Sequence, residues 1–171
     1  MSAVVPPPNR RAGAFATSLE ALRSAVGTEA FVTDWVEMTQ RRIDLFAQAT
    51  DDFQWIHVDP LRAQVDGLFG QTIAHGFLTL SLLGHFYERH LTLPFCDYGL
   101  NYGLNRVRFT HPVRSGSRVR GRFRLAQLED IQGGLQLTFS VTIEIEGQER
   151  PACVAESVVR QMYAPDRAGE N

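Results

Sequence analysis

The sequence contains no lysine; all 17 of its basic residues are Arg. A Schiff base or any other lysine nucleophile is therefore excluded. Cysteine is nearly absent as well. Cys96 and Cys153 are too few for a disulfide framework or a thiolate metal site, and they form no CxxC, so a reducing cytoplasm is the expected setting. Neither sign of charge dominates, since 17 basic against 19 acidic residues leave −2. A domain held to nucleic acid by phosphate contacts would carry a basic excess. Long apolar runs are missing too. The most apolar region, Thr72 to Tyr87, falls short of the roughly 18 to 20 residues a bilayer demands and contains His75 and His85. Ser81 has no GxSxG elbow around it, and no glycine-rich segment has the P-loop or dinucleotide pattern.

What remains is a chain of 171 residues, 44% apolar, sized for one globular domain with a substantial core. Met1 to Ala16, with its Pro-Pro-Pro run and no continuous apolar segment, reads as a flexible arm (1–16) rather than a secretion signal. The domain then occupies 17–171. Thr17-Ser18-Leu19-Glu20 has the capping-box form and predicts a short helix ending before Gly27. Ala30 to Met38 is expected to be extended. Thr39 can cap a second helix with Ile43, Phe46 and Ala47 on one face, and Asp51 to Asp59 breaks that period. Asp59-Pro60 starts another short helix, which Gly67 ends.

From Gly76, the run through Phe86-Tyr87 is apolar on nearly every side and predicts a core helix. The last third changes period to two. Val119, Gly121, Phe123 and Leu125 alternate with Arg118, Arg120, Arg122 and Arg124, and Leu135 to Ile145 alternate with polar partners between Gly133-Gly134 and Gly147. Tyr98 to Phe109 and Pro151 to Tyr163 supply further strands. The expectation is an α+β fold, and a buried helix followed by long antiparallel strands suggests a sheet wrapped around one helix, the hot-dog arrangement, which periodicity alone does not separate from other α+β folds. The Arg ladder reads as a solvent-facing sheet surface, with contacts to the phosphates of a ligand as the other reading. His85 and His90, five apart on the helix, do not have the spacing of two metal ligands on one face.

The loops carry the functional text. Thr50-Asp51-Asp52-Phe53-Gln54-Trp55-Ile56-His57-Val58-Asp59-Pro60, followed by Ile73-Ala74-His75-Gly76-Phe77, resembles the hydratase motif of the MaoC-like, (R)-specific enoyl-CoA hydratase family. In that family a Gly-Asp-x-Asn-Pro-aliphatic-His stretch precedes a His-Gly pair at the mouth of the hot-dog helix. The resemblance continues through Asn101-Tyr102-Gly103-Leu104-Asn105-Arg106-Val107-Arg108-Phe109 and Pro112-Val113, spans roughly Asp34 to Met162, and in Gln54-Trp55-Ile56-His57 is similar to the branch containing nodulation protein N. Asp51 stands where the family has Gly, and Gln54 and Trp55 where it has Asn and Pro.

The resemblance implies hydration of a trans-2-enoyl-CoA, or the reverse dehydration of an (R)-3-hydroxyacyl-CoA. Coenzyme A is then part of the substrate, no separate cofactor or metal is needed, and a homodimer is expected, with no nucleic-acid or membrane partner. The chemistry needs two groups of suitable pKa around one water. A neutral His57 is expected to act as base toward that water. Asp52 is expected to share it and to act as acid toward carbon once its carboxyl is partly desolvated. The backbone N–H of Gly76 is expected to receive the thioester oxyanion, the missing side chain admitting the ligand closely. Gln54, His75, Asn101 and Tyr102 are the candidate substrate-binding residues. His75 has a structural reading as a hydrogen-bonding group at the helix entrance, and Asn101 and Tyr102 one as strand packing. Two alternatives stay open: a hot-dog acyl-CoA thioesterase, and a non-catalytic acyl-thioester-binding accessory protein.

Overall fold

Ser18 accepts the Ala21 backbone N–H at 3.1 Å and so starts α1 (Leu19–Ser24), one residue after Thr17, the cap of the Thr17–Glu20 capping-box form. The computed structural model describes residues 15–163. Of the expected arm, 1–14 lie outside the described residues. Its last two residues are packed: Ala16 is buried, and the Phe15 N–H donates to the Thr92 carbonyl at 3.0 Å. The extended run after α1 divides into β1 (Glu29–Val32) and β2 (Val36–Glu37). Thr39 caps α2 (Gln40–Thr50) by accepting the Arg42 N–H. The segment expected to break the period holds a single turn, α3 (Trp55–Val58). Asp59 then caps α4 (Pro60–Asp66), which stops at Gly67.

The core helix is α5 (Gly76–His90), and β3 (Cys96–Phe109), β4 (Arg118–Ile131), β5 (Gly134–Ile145) and β6 (Cys153–Tyr163) complete the chain. The six strands form one antiparallel sheet in the order β1-β4-β5-β6-β3, with β2 also paired to β4. The sheet wraps α5 in the hot-dog manner. Helix residues Phe86 and Tyr87 meet Phe123 of β4 edge-on, at 6.1 and 5.1 Å between ring centroids. They come this close because Gly121 has no side chain; a Cβ there would sit 3.0 Å from the Phe86 ring. Truncating a buried Phe of this kind costs about 3–5 kcal/mol.

Contrary to the expectation of burial on nearly every side, α5 keeps an exposed stripe along Phe77, Ser81, His85 and Glu88, and Phe77 is 69% exposed. Spacings of four, four and three place these residues on one side of the helix, which the concave sheet leaves uncovered. The Arg ladder is a solvent-facing ion-pair array. Arg118 pairs with Glu146, Arg120 with Glu144 at 2.7 Å, and Arg122 with Glu144 and Glu29, while Arg124 donates to the Gly27 carbonyl. Strand register explains it, since Arg120 and Glu144 are direct neighbours across β4 and β5. Among the described residues no helix is long and apolar enough to cross a membrane.

Candidate active site

Three short connections converge at the head of α5. Helix α2 ends on Asp51 in the left-handed region, φ 57 and ψ 23, which turns the chain away from the helix and presents Asp52 next. Asp52 Oδ1 accepts the Gln54 N–H at 3.4 Å, a turn stabilised by its own carboxylate. Gln54 starts α3 through its backbone carbonyl, which accepts from the His57 N–H at 2.9 Å; its side chain makes no capping bond and is exposed.

His57 is 7% exposed, and its Nδ1 lies 2.7 Å from the Ile73 carbonyl oxygen. A carbonyl only accepts, so Nδ1 carries the proton and Nε2 keeps its lone pair. Burial pushes the His57 pKa below its ordinary 6.5; the bond to Ile73 opposes that, His75 adds to it, and Asp52 opposes it. The ring is therefore neutral near pH 7, with its free nitrogen a base. His75, 2% exposed, stacks on it at 3.8 Å between centroids. His75 Nε2 donates to the Asp52 backbone carbonyl at 3.0 Å, and its Nδ1 is buried without a hydrogen-bond partner. The structural reading of His75 accounts for these contacts: it fastens the Asp52 loop to the helix entrance.

A carboxylate oxygen of Asp52, a ring nitrogen of His57 and a ring nitrogen of His75 lie within 4.8 Å of one another. Two groups hydrogen-bonded to one water at about 2.8 Å, with a tetrahedral angle between them, are about 4.6 Å apart, a separation inside that limit. The set suits a metal poorly. His57 Nδ1 and His75 Nε2 hold protons on backbone carbonyls, and lone pairs of rings stacked face to face do not converge on one ion. Asp52 is 54% exposed, so the desolvation that its role as acid required is not supplied by the fold.

His57 opens into a cavity of about 370 Å³ that Gly76, Thr79, Phe109, His111 and Val113 also line. Gly76 is the first residue of α5, and His75 offers no side-chain cap, which leaves first-turn N–H groups of the helix for a ligand. The reason for glycine differs from the expected one. The space a Cβ would take is filled by the Phe109 ring, 2.8 Å from that position, rather than left for a ligand.

Asn101 and Tyr102 are not brought to this cavity. Asn101 lines a second one of about 240 Å³, beside Gly84 and Tyr87 toward the other end of α5. Tyr102 points to the opposite face of β3 and packs under the Arg160 guanidinium at 3.4 Å. Alternation along a strand separates the two side chains, and the register shift between Asn101 and Gly103 locates the break in pairing. Thr79, Phe109 and His111 were not singled out from sequence. Thr79 follows Gly76 by one helical turn, which is a usable signal, whereas no spacing marks His111.

Known proteins resemble the chain in sequence and in fold. Residues 22–145 match the MaoC like domain family. Over 144 residues the chain is 51% identical to 3-hydroxyacyl-thioester dehydratase Z of Mycobacterium tuberculosis strain H37Rv, covering 84% of this chain and 95% of that protein. It is 47% identical over 152 residues to nodulation protein N of Rhizobium leguminosarum bv. viciae, covering 87% of this chain and 94% of that one. The solved structure of the (R)-hydratase from A. caviae involved in PHA biosynthesis superposes with a TM-score of 0.63 at 24% identity, over 78% of this chain and 94% of that chain.

Proposed function

Because the chain belongs to the MaoC-like dehydratase family, we propose that it interconverts a trans-2-enoyl-CoA and the corresponding (R)-3-hydroxyacyl-CoA, with Asp52 and His57 activating one water. The observation that carries this reading is the neutral, buried His57, one ring nitrogen of which lies within 4.8 Å of an Asp52 carboxylate oxygen. In the hydration direction the Asp52 carboxylate accepts one hydrogen of the water and His57 Nε2 takes the other proton. The hydroxyl oxygen bonds to C3, and the C2=C3 electron pair shifts toward the thioester oxygen, where the first N–H of α5 at Gly76 stabilises it. The imidazolium then returns its proton to C2, and the Asp52 charge stabilises that cation while it lasts. The atoms balance with one water consumed, and dehydration is the same path reversed. His57 thus supplies both proton transfers, in place of the acid role expected of Asp52.

A homodimer joined through β3 completes the proposal. Among the described residues this edge strand pairs only with β6, and it exposes Tyr98, Leu100, Tyr102 and Leu104, apolar groups that a second copy would cover. A cytoplasmic setting suits the two unpaired cysteines.

The test is an absorbance assay on a series of trans-2-enoyl-CoA chain lengths with free thiol followed in parallel. Loss of the conjugated absorbance without thiol is the expected result. Thiol release would establish a thioesterase instead, and neither change would leave an acyl-thioester-binding protein.

A further inference from the structure

We infer that Gln40 is the positioning residue that holds the His57 turn in register with the segment its imidazole bonds to. The inference rests on the proposed role of His57 as the base. A single helical turn such as α3 has almost no stability of its own, so external bonds must fix where it points. Gln40, the first residue of α2, supplies one from another element: its Nε2 donates to the His57 backbone carbonyl at 2.7 Å. The same nitrogen donates to Asp44 Oδ1 at 2.8 Å, and Gln40 Oε1 accepts from the hydroxyl of the buried Thr72.

The partners fix the orientation of the amide. A carbonyl and a carboxylate can only accept, so the NH₂ must face both, and Thr72 must donate to the oxygen. Every hydrogen-bonding position of this amide except oxygen's second lone pair is then used. Thr72 immediately precedes Ile73, whose carbonyl takes the His57 Nδ1 proton and whose N–H donates to the Ile56 carbonyl at 3.0 Å. Gln40 therefore spans both sides of the His57–Ile73 bond and keeps the imidazole and its acceptor at a fixed separation. Loosening it lets the ring tilt and water enter. The titratable groups facing His57 are Asp52 in the preceding loop, His75 at the head of α5 and His111 across the cavity; Asp44 is reached through Gln40 itself.

The test is Gln40→Ala in the full-length protein, with the His57 ring titrated by NMR and kcat and KM measured on a 2-enoyl-CoA. The expected result is a His57 titration moved upward toward 6.5, because relief of burial outweighs the weakened Ile73 bond. A fall in kcat of about tenfold or more, with KM changed less than about threefold, should accompany it. Thr72→Val, which deletes only the donor to Gln40, should move both in the same direction by less, and serves if Gln40→Ala fails to fold. A lowered melting temperature with the His57 titration unmoved or lowered, in whichever variant folds, overturns the inference and leaves Gln40 a structural brace. If the wild-type protein shows no hydration at all, the proposed function fails, yet the titration still decides the geometry.

Discussion

The imidazoles of His57 and His75 lie face to face, 3.8 Å between centroids and 27° from parallel, with one ring nitrogen of each already bonded to a backbone carbonyl. Two cations cannot share that stack at low cost, so the arrangement favours a neutral His57.

The rate should therefore fall on the acid side only below the ordinary His57 value of 6.5, since burial, the largest influence, holds its folded pKa beneath that. A kcat/KM profile between pH 4.5 and 8 checks this; a limb centred above 6.5 would contradict a buried neutral base. Stability follows the same sign. As pH drops, the unfolded chain takes up this proton first, so the His57 contribution is full above about pH 6.5 and is lost as pH falls toward the folded value. His85, exposed along one side of α5, is also lowered, by desolvation on its covered side and by the charges of Arg89 and Arg42, and acts on stability in the same direction. His85→Gln should therefore reduce the acid-induced loss of melting temperature while leaving the kinetic limb in place.

Replacing His57 by Gln, or Asp52 by Asn, keeps the size of the side chain and removes the charge chemistry. Each should lower kcat by roughly 10²–10⁴-fold, the usual worth of a general acid–base group. Circular dichroism should remain that of the native fold. The two differ in pH behaviour: residual activity of His57→Gln should lack the acid limb, whereas Asp52→Asn should keep it. An unchanged rate in Asp52→Asn would remove the carboxylate from the mechanism.

Gly76→Ala keeps the backbone N–H and adds only a methyl group, 2.8 Å from the Phe109 ring. The oxyanion donor survives, so any loss is steric. Overpacking of this kind costs about 1–3 kcal/mol, and Phe109 must move into the cavity it shares with His57. Thermal unfolding should show the destabilisation, and Gly76→Ala with Phe109→Leu should recover part of it. If the double variant is no more stable than the single, the close contact is not what requires glycine.

Much of this was legible in the residues. Alternation along Leu135–Ile145 fixed which face of β5 is buried, and Thr39 and Asp59 cap the helices they were expected to cap, while α1 is capped by Ser18, one residue after Thr17. Periodicity could not show α3, because four residues are too few to display a helical repeat. Nor could it show that α5 keeps the open stripe from Phe77 to Glu88, since a stripe carrying Phe reads as core until the layer that would cover it is found missing. Within the site, the motif named Asp52 and His57, which the fold sets within 4.8 Å of each other, and Gly76, which lines the same cavity as His57. Asn101 and Tyr102 lie apart from that cavity, because alternation along a strand and a register shift decide which side chain points where. Gln40 lies 17 residues before His57 and meets it only through the fold.

Asp51 shows how one departure from the family motif can be read physically. The family places Gly there, and in this chain the position has φ 57, where an L-residue is disfavoured by roughly 1–2 kcal/mol but Asp and Asn are the best tolerated after Gly. The substitution is therefore affordable without any catalytic role for the Asp51 carboxylate. Asp51→Gly should leave kcat unchanged and the unfolding free energy within about 1 kcal/mol, because relief of the backbone is offset by greater freedom of the unfolded chain. Asp51→Val should lose about 1–2 kcal/mol, since a β-branched residue resists this conformation. It should also lower kcat, because Asp52 is the next residue and takes its direction from the turn. Denaturant unfolding and initial rates on the three proteins decide the matter. A drop in kcat for Asp51→Gly with stability retained would give that carboxylate a part in the chemistry.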